Sequence, residues 1–487
     1  MKKHRHVLMY ILAIVSMALS NGKYLYAPAA FVFPLLFLMS FKKETFKKSS
    51  LMLVLGLAVG NAISFHGMLP DVGMKYLHAL PFLAGALMAP AFIAQMYAFK
   101  KSKSYSMVLI LPSLYTLMDF LNSKFNPFGG FGLLGYSQHN FLALVQWASV
   151  FGAIGLTFLI MLFGSATFWL VKENKFTYPN KHLVIYASII VAVLGFGMVR
   201  LYTPNVSDTF KVSGLHTLDR TVDETADLFS DYADNPNKFI EASNANLDKV
   251  LTLTINEAQS GADVVNHAEA TIVLSHKNKE LGIEKIKNTA RNQGIVIVTT
   301  IYVLNPPPEK NENVLLIIDE TGQVVVRHYK YGGNEFEGSV KGNRVIESVE
   351  TTHGHIAGII CWDKDFPSTV AQVGRRITDT LFIPSADWEA ISPYHAIVGT
   401  FRGLENGANV VTQTVNGMSM IVDYKGRVIS EMDHFQNKTW INRGDLPVHT
   451  ASTIYPHIEP YLGYVLIILL GYALFKLKVS KDNEGVI

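Results

Sequence analysis

Eight apolar segments, near residues 6–21, 24–41, 50–68, 79–99, 105–122, 145–171, 182–200 and 460–477, approach or exceed the ~17–25 residues an α-helix needs to cross a hydrocarbon core of about 30 Å. No other feature restricts the chain so strongly. Backbone in lipid must satisfy its own hydrogen bonds, which leaves segments of this kind the helix as their available form. Only 17% of the 487 residues are charged, against about 25% in an ordinary soluble domain. The apolar residues are segregated rather than spread. The pattern predicts a bundle of about seven helices over 1–204, a polar block over 205–455, and a last helix with a tail over 456–487. The first two segments are short, and the second contains Pro28 and Pro34.

Lysine and arginine in the connections test this count, because short retained loops carry positive charge. Basic clusters recur at Lys2–Arg5, Lys42–Lys48, Lys100–Lys103, Lys172–Lys181 and Lys476–Lys481, while the loops around Lys23, Lys75 and Lys124 are nearly bare. The alternation predicts both termini on the cytoplasmic side and the 205–455 block outside it. Ala18-Leu-Ser20 resembles a signal-peptide cleavage site, but the apolar pattern resumes at once and favours an uncleaved first helix. A net charge of +3 is too small to imply a nucleic-acid partner. One cysteine excludes an intrachain disulfide and a Cys-cluster zinc site. The connection Asn126-Pro-Phe-Gly-Gly-Phe-Gly-Leu-Leu-Gly-Tyr-Ser-Gln138 suits either a re-entrant or interfacial segment or an ordinary flexible loop.

The polar block reads as strands alternating with helices. Strands are expected at Phe210–Leu215, Val264–Leu274, Ile295–Val303, Asp379–Pro384 and Asn409–Val415, and helices at Asn244–Ser260, Lys279–Gln293 and Tyr394–Asn406. Hairpins are expected to turn at Gly322 and at Asp423–Gly426, where glycine supplies a backbone conformation that a side chain resists. This density of mixed elements implies one layered α/β or α+β domain.

The sole cysteine, Cys361, closes the run His355-Ile-Ala-Gly-Ile-Ile-Cys361 and is followed by Trp362-Asp-Lys-Asp365. A buried structural thiol is the common fate of such a residue. A strand-end thiol with charged neighbours is also where a nucleophile would be presented. A nucleophile for acyl transfer needs a base and an oxyanion donor. Glu269, within Val264-Val-Asn-His-Ala-Glu-Ala-Thr-Ile-Val-Leu274, is flanked by residues that would desolvate it, the setting of a general base; otherwise it is a solvent-facing strand acid. Lys330 ends Arg327-His-Tyr-Lys330, where a positive group for the oxyanion could stand; a lysine at a strand end is more commonly just solvated.

The order Glu269, Lys330, Cys361, each at or near a strand end, resembles the nitrilase superfamily. The likeness continues through Pro384-Ser-Ala-Asp-Trp388, His395, Phe401-Arg-Gly-Leu-Glu-Asn406 and Val415-Asn-Gly-Met-Ser419. It implies an αββα sandwich with Glu269 as base, Lys330 as stabiliser of the tetrahedral intermediate and Cys361 as nucleophile. Within that superfamily the membrane framing resembles the apolipoprotein N-acyltransferase family. Phe131-Gly-Leu-Leu-Gly-Tyr-Ser-Gln138 and Gln146-Trp-Ala-Ser-Val-Phe-Gly-Ala-Ile-Gly-Leu-Thr-Phe158 are similar to its membrane-domain signature. The resemblance implies an acyl chain passed from a phospholipid through a Cys361 thioester to the α-amine of a diacylated apolipoprotein. It also implies a multi-pass protein of the bacterial cytoplasmic membrane, with no metal or organic cofactor. The N–H of Trp362 would assist Lys330, and Asp363, Trp388 and either Glu335 or Glu337 would be auxiliary or substrate-binding residues. Three stretches differ from the family pattern: His267-Ala-Glu269 replaces Trp-Pro-Glu, Tyr331–Gly338 replaces Pro-Phe-Gly-Glu, and Trp362-Asp363 replaces Tyr-Glu. The segment His216–Pro236 lacks a tryptophan expected over the substrate. A membrane-anchored amidase using water or another amine, and a catalytically silent sensing protein, are the competing functions.

Overall fold

The structure, a computed structural model, describes residues 2–42, 44–69, 75–176, 180–204, 207–217, 232–437 and 439–484. It divides into two compact units: Met1–Asn126 with Gly130–Tyr202 and Ile458–Ile487, and Pro127–Gly129 with Thr203–His457. Most of segment 216–236, where a substrate-covering tryptophan is missing, lies outside the described residues.

In the first unit every apolar segment is helical: Lys2–Ser20, Ala27–Ser40, Phe46–Ser64, Leu80–Leu87 continued by Ala89–Lys101, Ile110–Phe125, Ala148–Lys172, Lys181–Tyr202 and Leu462–Glu484. Among the described residues, five spans are long and apolar enough to cross a membrane, Phe46–Ser64, Leu77–Lys101, Ala148–Lys172, Lys181–Tyr202 and Tyr455–Ser480, while Arg5–Ser20 and Ala27–Ser40 are shorter apolar helices. Close approach is set by small residues, as expected where packing rather than the hydrophobic effect joins helices. A Cβ on Gly197 would lie 1.7 Å from the Ala143 carbonyl oxygen, and one on Gly85 2.4 Å from that of Leu57.

The entry to helix Ile110–Phe125 shows how an irregular backbone is accommodated away from water. A 3₁₀ turn, Tyr105–Leu109, precedes it, and Pro112 has no N–H to offer the Val108 carbonyl one turn back. Ser165 Oγ donates to that carbonyl at 2.8 Å. Buried Gln95 bridges the adjacent break, donating to Met107 O at 2.9 Å and accepting from Leu111 N–H at 2.8 Å. The freed groups are thereby paired, as the low dielectric demands.

The glycine- and aromatic-rich connection is not a flexible loop. Leu134–Gln138 forms a buried 3₁₀ turn, with its amides and flanking carbonyls held by side chains: Gly135 N–H on Thr157 Oγ1 at 3.1 Å and Gly132 O on Asn21 Nδ2 at 2.9 Å. Its irregular backbone is enclosed by protein and paired by side chains.

The second unit is a four-layer αββα sandwich. One sheet contains β1 (Thr209–Leu215), β2 (Val264–His267), β3 (Ile272–Ser275), β4 (Val296–Leu304), β5 (Glu312–Ile318) and β6 (Val324–Tyr329). The other contains β7 (Ser348–Thr351), β8 (Gly354–Gly358), β9 (Thr380–Phe382), β11 (Asn409–Thr412), β13 (Met418–Val422) and β14 (Val428–Asp433). A short pair, β10 (Ser385–Ala386) with β12 (Thr414–Val415), stands apart, and β15 (Ile441–Pro447) completes the first sheet. Their orders are β15-β1-β2-β4-β5-β6, with β3 beside β4, and β14-β13-β11-β9-β8-β7.

Period-two alternation distributes the side chains between layers. In β4 and β5, Ile297, Ile301, Val314, Leu316 and Ile318 pack outward with Leu247, Val250, Ile283 and Ile286 of helices Pro236–Gln259 and Lys279–Gln293. Their neighbours Val296, Val298, Leu315 and Ile317 pack inward against Ile356, Phe382, Val411 and Ile421 of the second sheet. On the far side, Ala357, Leu381 and Val410 meet Val370 and Val373. Because these strands are buried on both faces, they read as continuous apolar runs rather than alternating ones.

Three expected boundaries change. The first helix of this unit begins at Pro236, after Asn235, whose side chain accepts from Lys238 N–H, so a polar first turn hid its start. Asn409–Val415 is two strands rather than one. Val264–Leu274 is likewise β2 and β3, separated at 268–271, where Ala270 has φ +60°, and Glu269 lies in that break rather than within a strand.

Candidate active site

Each of the three chemical residues stands where a strand stops. Lys330 N–H donates to Asn313 O at 3.0 Å, extending the β5–β6 ladder by one residue. Alternation then puts Lys330 on the same face as His328, opposite Tyr329. Cys361 opens the 3₁₀ turn Cys361–Asp365 after β8 and holds φ +46°, a conformation that side chains resist and that clusters at functional sites. Its N–H donates to Pro384 O at 2.8 Å. The next amide, of Trp362, is among the first N–H groups of that turn, which have no carbonyl partner within it.

Glu269 and Lys330 are buried together. Lys330 Nζ donates to Glu269 Oε1 at 2.8 Å and to Glu337 Oε1, and Asn313 Nδ2 donates to Glu269 Oε1 at 2.7 Å. Glu269 Oε2 accepts from Ala386 N–H at 3.0 Å. Cys361 Sγ lies 3.7 Å from the carbonyl oxygen of the same Ala386. One residue of β10 therefore touches both the carboxylate and the thiol.

The charges act on one another strongly in this dry setting. Burial alone would pull the Lys330 ammonium down, but Glu269 and Glu337, with Cys361, hold it well above the usual lysine range. Burial and then the Glu269 charge push the Cys361 thiol well up, against the opposing pull of Lys330. Burial also raises Glu337 despite Lys330. The resting pair is thus an ammonium beside a neutral thiol, so nucleophilic attack requires a base to take the thiol proton.

The two candidate loop glutamates separate clearly. Glu337 reaches Lys330, whereas Glu335 is exposed and only 3.9 Å from Lys341. Asp363 is buried and faces backbone rather than open space: Oδ1 accepts from Tyr331 N–H at 2.9 Å and Gly332 N–H at 2.7 Å, while Oδ2 accepts from Ile360 N–H at 3.0 Å and pairs with His328 Nε2 at 2.9 Å. It ties the Tyr331–Gly338 loop to the cysteine turn, a positioning arrangement rather than a substrate-facing one. The Trp362 indole lies parallel to Phe336 at 5.6 Å and stacks on Phe128 at 5.5 Å. A Cβ on adjacent Gly129 would lie 2.3 Å from Asp365 O. Trp388 is half-buried. His267, in the altered Trp-Pro-Glu position, is a core imidazole between Thr254 and Thr299, with its pKa lowered to about 3 by burial.

The sequence reading assigned no role to Asn313, or to a chain of three groups behind the thiol. His395 Nδ1 is 2.7 Å from Asp387 Oδ1 and Nε2 is 3.0 Å from Asp365 Oδ2, and Asp387 Oδ1 is 3.9 Å from Cys361 Sγ. Asp387 and His395 lie in stretches that carry the resemblance, but nothing local links them to Asp365 and Cys361, which stand well upstream in the sequence. Burial disfavours charge on both, yet their contact, helped by Lys364 for Asp387, lowers the Asp387 carboxyl and raises the His395 imidazole. Cys361, Asp387 and His395 place ligand-type atoms within 4.8 Å of one another. Both ring nitrogens of His395 are already engaged by carboxylates, so the set reads as a hydrogen-bonded chain rather than as metal ligands.

A buried Glu–Lys pair beside a strand-end cysteine on an αββα sandwich defines the carbon-nitrogen hydrolase class, and the family model "Carbon-nitrogen hydrolase" matches residues 236–451. A second model, "Apolipoprotein N-acyltransferase N-terminal domain", matches residues 13–166. The chain belongs to the apolipoprotein N-acyltransferase family. It is 22% identical to the apolipoprotein N-acyltransferase of Geobacter metallireducens, covering 89% of this chain and 88% of the relative, and 23% identical to that of Rickettsia bellii, covering 84% and 82%. Among solved structures, an amidase from Nesterenkonia sp. is similar, at 17% identity and TM-score 0.42, over 54% of this chain and 98% of the amidase.

Proposed function

We propose that this acyltransferase moves an acyl chain from a membrane phospholipid to the α-amine of the N-terminal diacylglyceryl-cysteine of a lipoprotein. The observation that carries the reading is the buried Glu269–Lys330 pair meeting the Cys361 thiol across Ala386, in a chain framed by membrane helices. Glu269 takes the thiol proton and the thiolate attacks the ester carbonyl. The oxyanion is met by the Lys330 ammonium and the Trp362 N–H. Collapse expels the lysophospholipid alkoxide, which takes the proton from Glu269 and leaves a thioester. The lipoprotein amine then attacks the thioester, Glu269 accepts its proton, and the departing thiolate is reprotonated. Both substrates keep their acyl chains in the bilayer, because withdrawing each methylene into water costs ~0.8 kcal/mol. The lysine alternation supports placement of this chemistry outside the cytoplasmic face of a bacterial membrane.

The acceptor is tested by loading the full-length protein with phospholipid, then following loss of the acyl mass. A diacylated lipopeptide with a free α-amine is expected to discharge the adduct much faster than water, yielding a triacylated peptide. Discharge by water or small amines alone would assign the amidase reading instead. Within the site, Glu337→Gln is expected to slow turnover ~10–100-fold, as loss of a charged partner of the catalytic cation. Glu335→Gln should stay within about twofold of the parent, since an exposed carboxylate near a lysine contributes little. Equal losses in the two variants would overturn this division of roles.

A further inference from the structure

A groove of about 990 Å³ opens among the helices of the first unit, lined by Lys103, Lys175, Lys181 and Lys476 together with apolar side chains that include Leu162 and Ile185. Its lining contains four lysines and no acid. None of those lysines forms an ion pair among the described residues. The wall is pre-built rather than loose: Trp169 is buried, donates from Nε1 to Lys103 O at 3.0 Å, and meets Tyr105 edge-on at 4.9 Å. Four lysines beside an apolar lining have the polarity of one molecule in particular, an anionic lipid with its acyl chains attached. The volume lies in the range of small-ligand sites, ~300–1,000 Å³. These lysines come from the clusters that the alternation assigns to the cytoplasmic side, the leaflet rich in anionic headgroups. None of these residues belongs to the chemistry around Cys361.

We propose that this groove is a binding site for an anionic phospholipid, separate from the acyl donor used in the reaction. The phosphate and headgroup sit among Lys103, Lys175, Lys181 and Lys476, and an acyl chain lies along Leu162 and Ile185. Native mass spectrometry of the full-length protein, given equimolar phosphatidylglycerol and phosphatidylcholine, tests this. The anionic lipid should be retained at least about tenfold over the zwitterionic one, as several near-surface lysines imply. Lys103→Gln/Lys181→Gln/Lys476→Gln should reduce that ratio to near unity. Lys47→Gln/Lys48→Gln/Lys101→Gln, an equal charge change outside the groove lining, should preserve it. Should the groove triple variant fail to fold, Ile185→Trp, which adds bulk to the apolar lining, replaces it and should also lower retention. The proposal is overturned by no preference in the parent, by equal loss in both triple variants, or by a preference that excess inorganic phosphate erases.

Discussion

Cys361→Ala is expected to leave a folded protein that carries no acyl adduct and transfers nothing above background, a loss of at least about 10⁴-fold. The chain has one cysteine, so a thioester can form only there, and the intact mass of the protein with phospholipid reads it directly. A variant that still acquired a long-chain adduct would remove Cys361 from the mechanism. Truncation deletes one small atom from a site 5% exposed, so melting should change little. The wild-type thiol should also show a pH signature. Burial and the Glu269 charge raise it well above its ordinary range. Alkylation by a small neutral reagent should therefore be slow at neutral pH and keep rising beyond pH ~9, where an ordinary cysteine levels off. A plateau near neutrality would mean a resting thiolate and make Glu269 unnecessary for the first proton transfer.

Lys330→Met should be damaging in two separable ways. Activity should fall at least about 10³-fold, because the oxyanion loses its cation and Glu269 loses the ammonium that orients it. Stability should fall by ~3–5 kcal/mol, because the buried Glu269 carboxylate and the half-buried Glu337 beside it remain without their counter-ion. Lys330 is 2% exposed, so water cannot readily replace it. Measuring acyl-adduct formation at a temperature well below the variant's melting point separates the two. Full acylation by a folded Lys330→Met protein would reduce the lysine to a structural cation. The Glu269→Gln/Lys330→Met pair should recover part of the stability, since one buried charge is gone, and recover none of the activity.

How legible these features were depends on how far apart the interacting residues lie. The helices Lys279–Gln293 and Tyr394–Asn406 were readable to the residue, because period and termini are local. The hairpin at Gly322 was readable for the same reason, its φ of +81° being a conformation glycine adopts freely. The break that sets Glu269 between β2 and β3 was not readable. Val264–Leu274 is apolar throughout apart from a few positions, and an apolar run gives no sign of where hydrogen-bonded pairing stops. Glu335 and Glu337 are two residues apart and chemically alike; only the four-residue helix Asn334–Glu337 points one at Lys330 and the other at solvent. Asn313, Asp387 and Asp365 are ordinary polar residues by any local measure.

By itself the sequence determined that this chain has membrane helices, that a layered α/β block interrupts them, and that its chemistry has one thiol available. Each of these follows from composition or periodicity within a window of a few turns, where side chains act on their own backbone and on solvent. The tertiary structure alone decided that Lys330 is buried between two carboxylates, that Asp363 fastens the Cys361 turn through backbone N–H groups, and that the Asp365–His395–Asp387 chain ends beside Cys361. Those outcomes depend on contacts between strand ends brought together only when two sheets pack face to face, and the energies of desolvated charges that result do not exist until that packing excludes water.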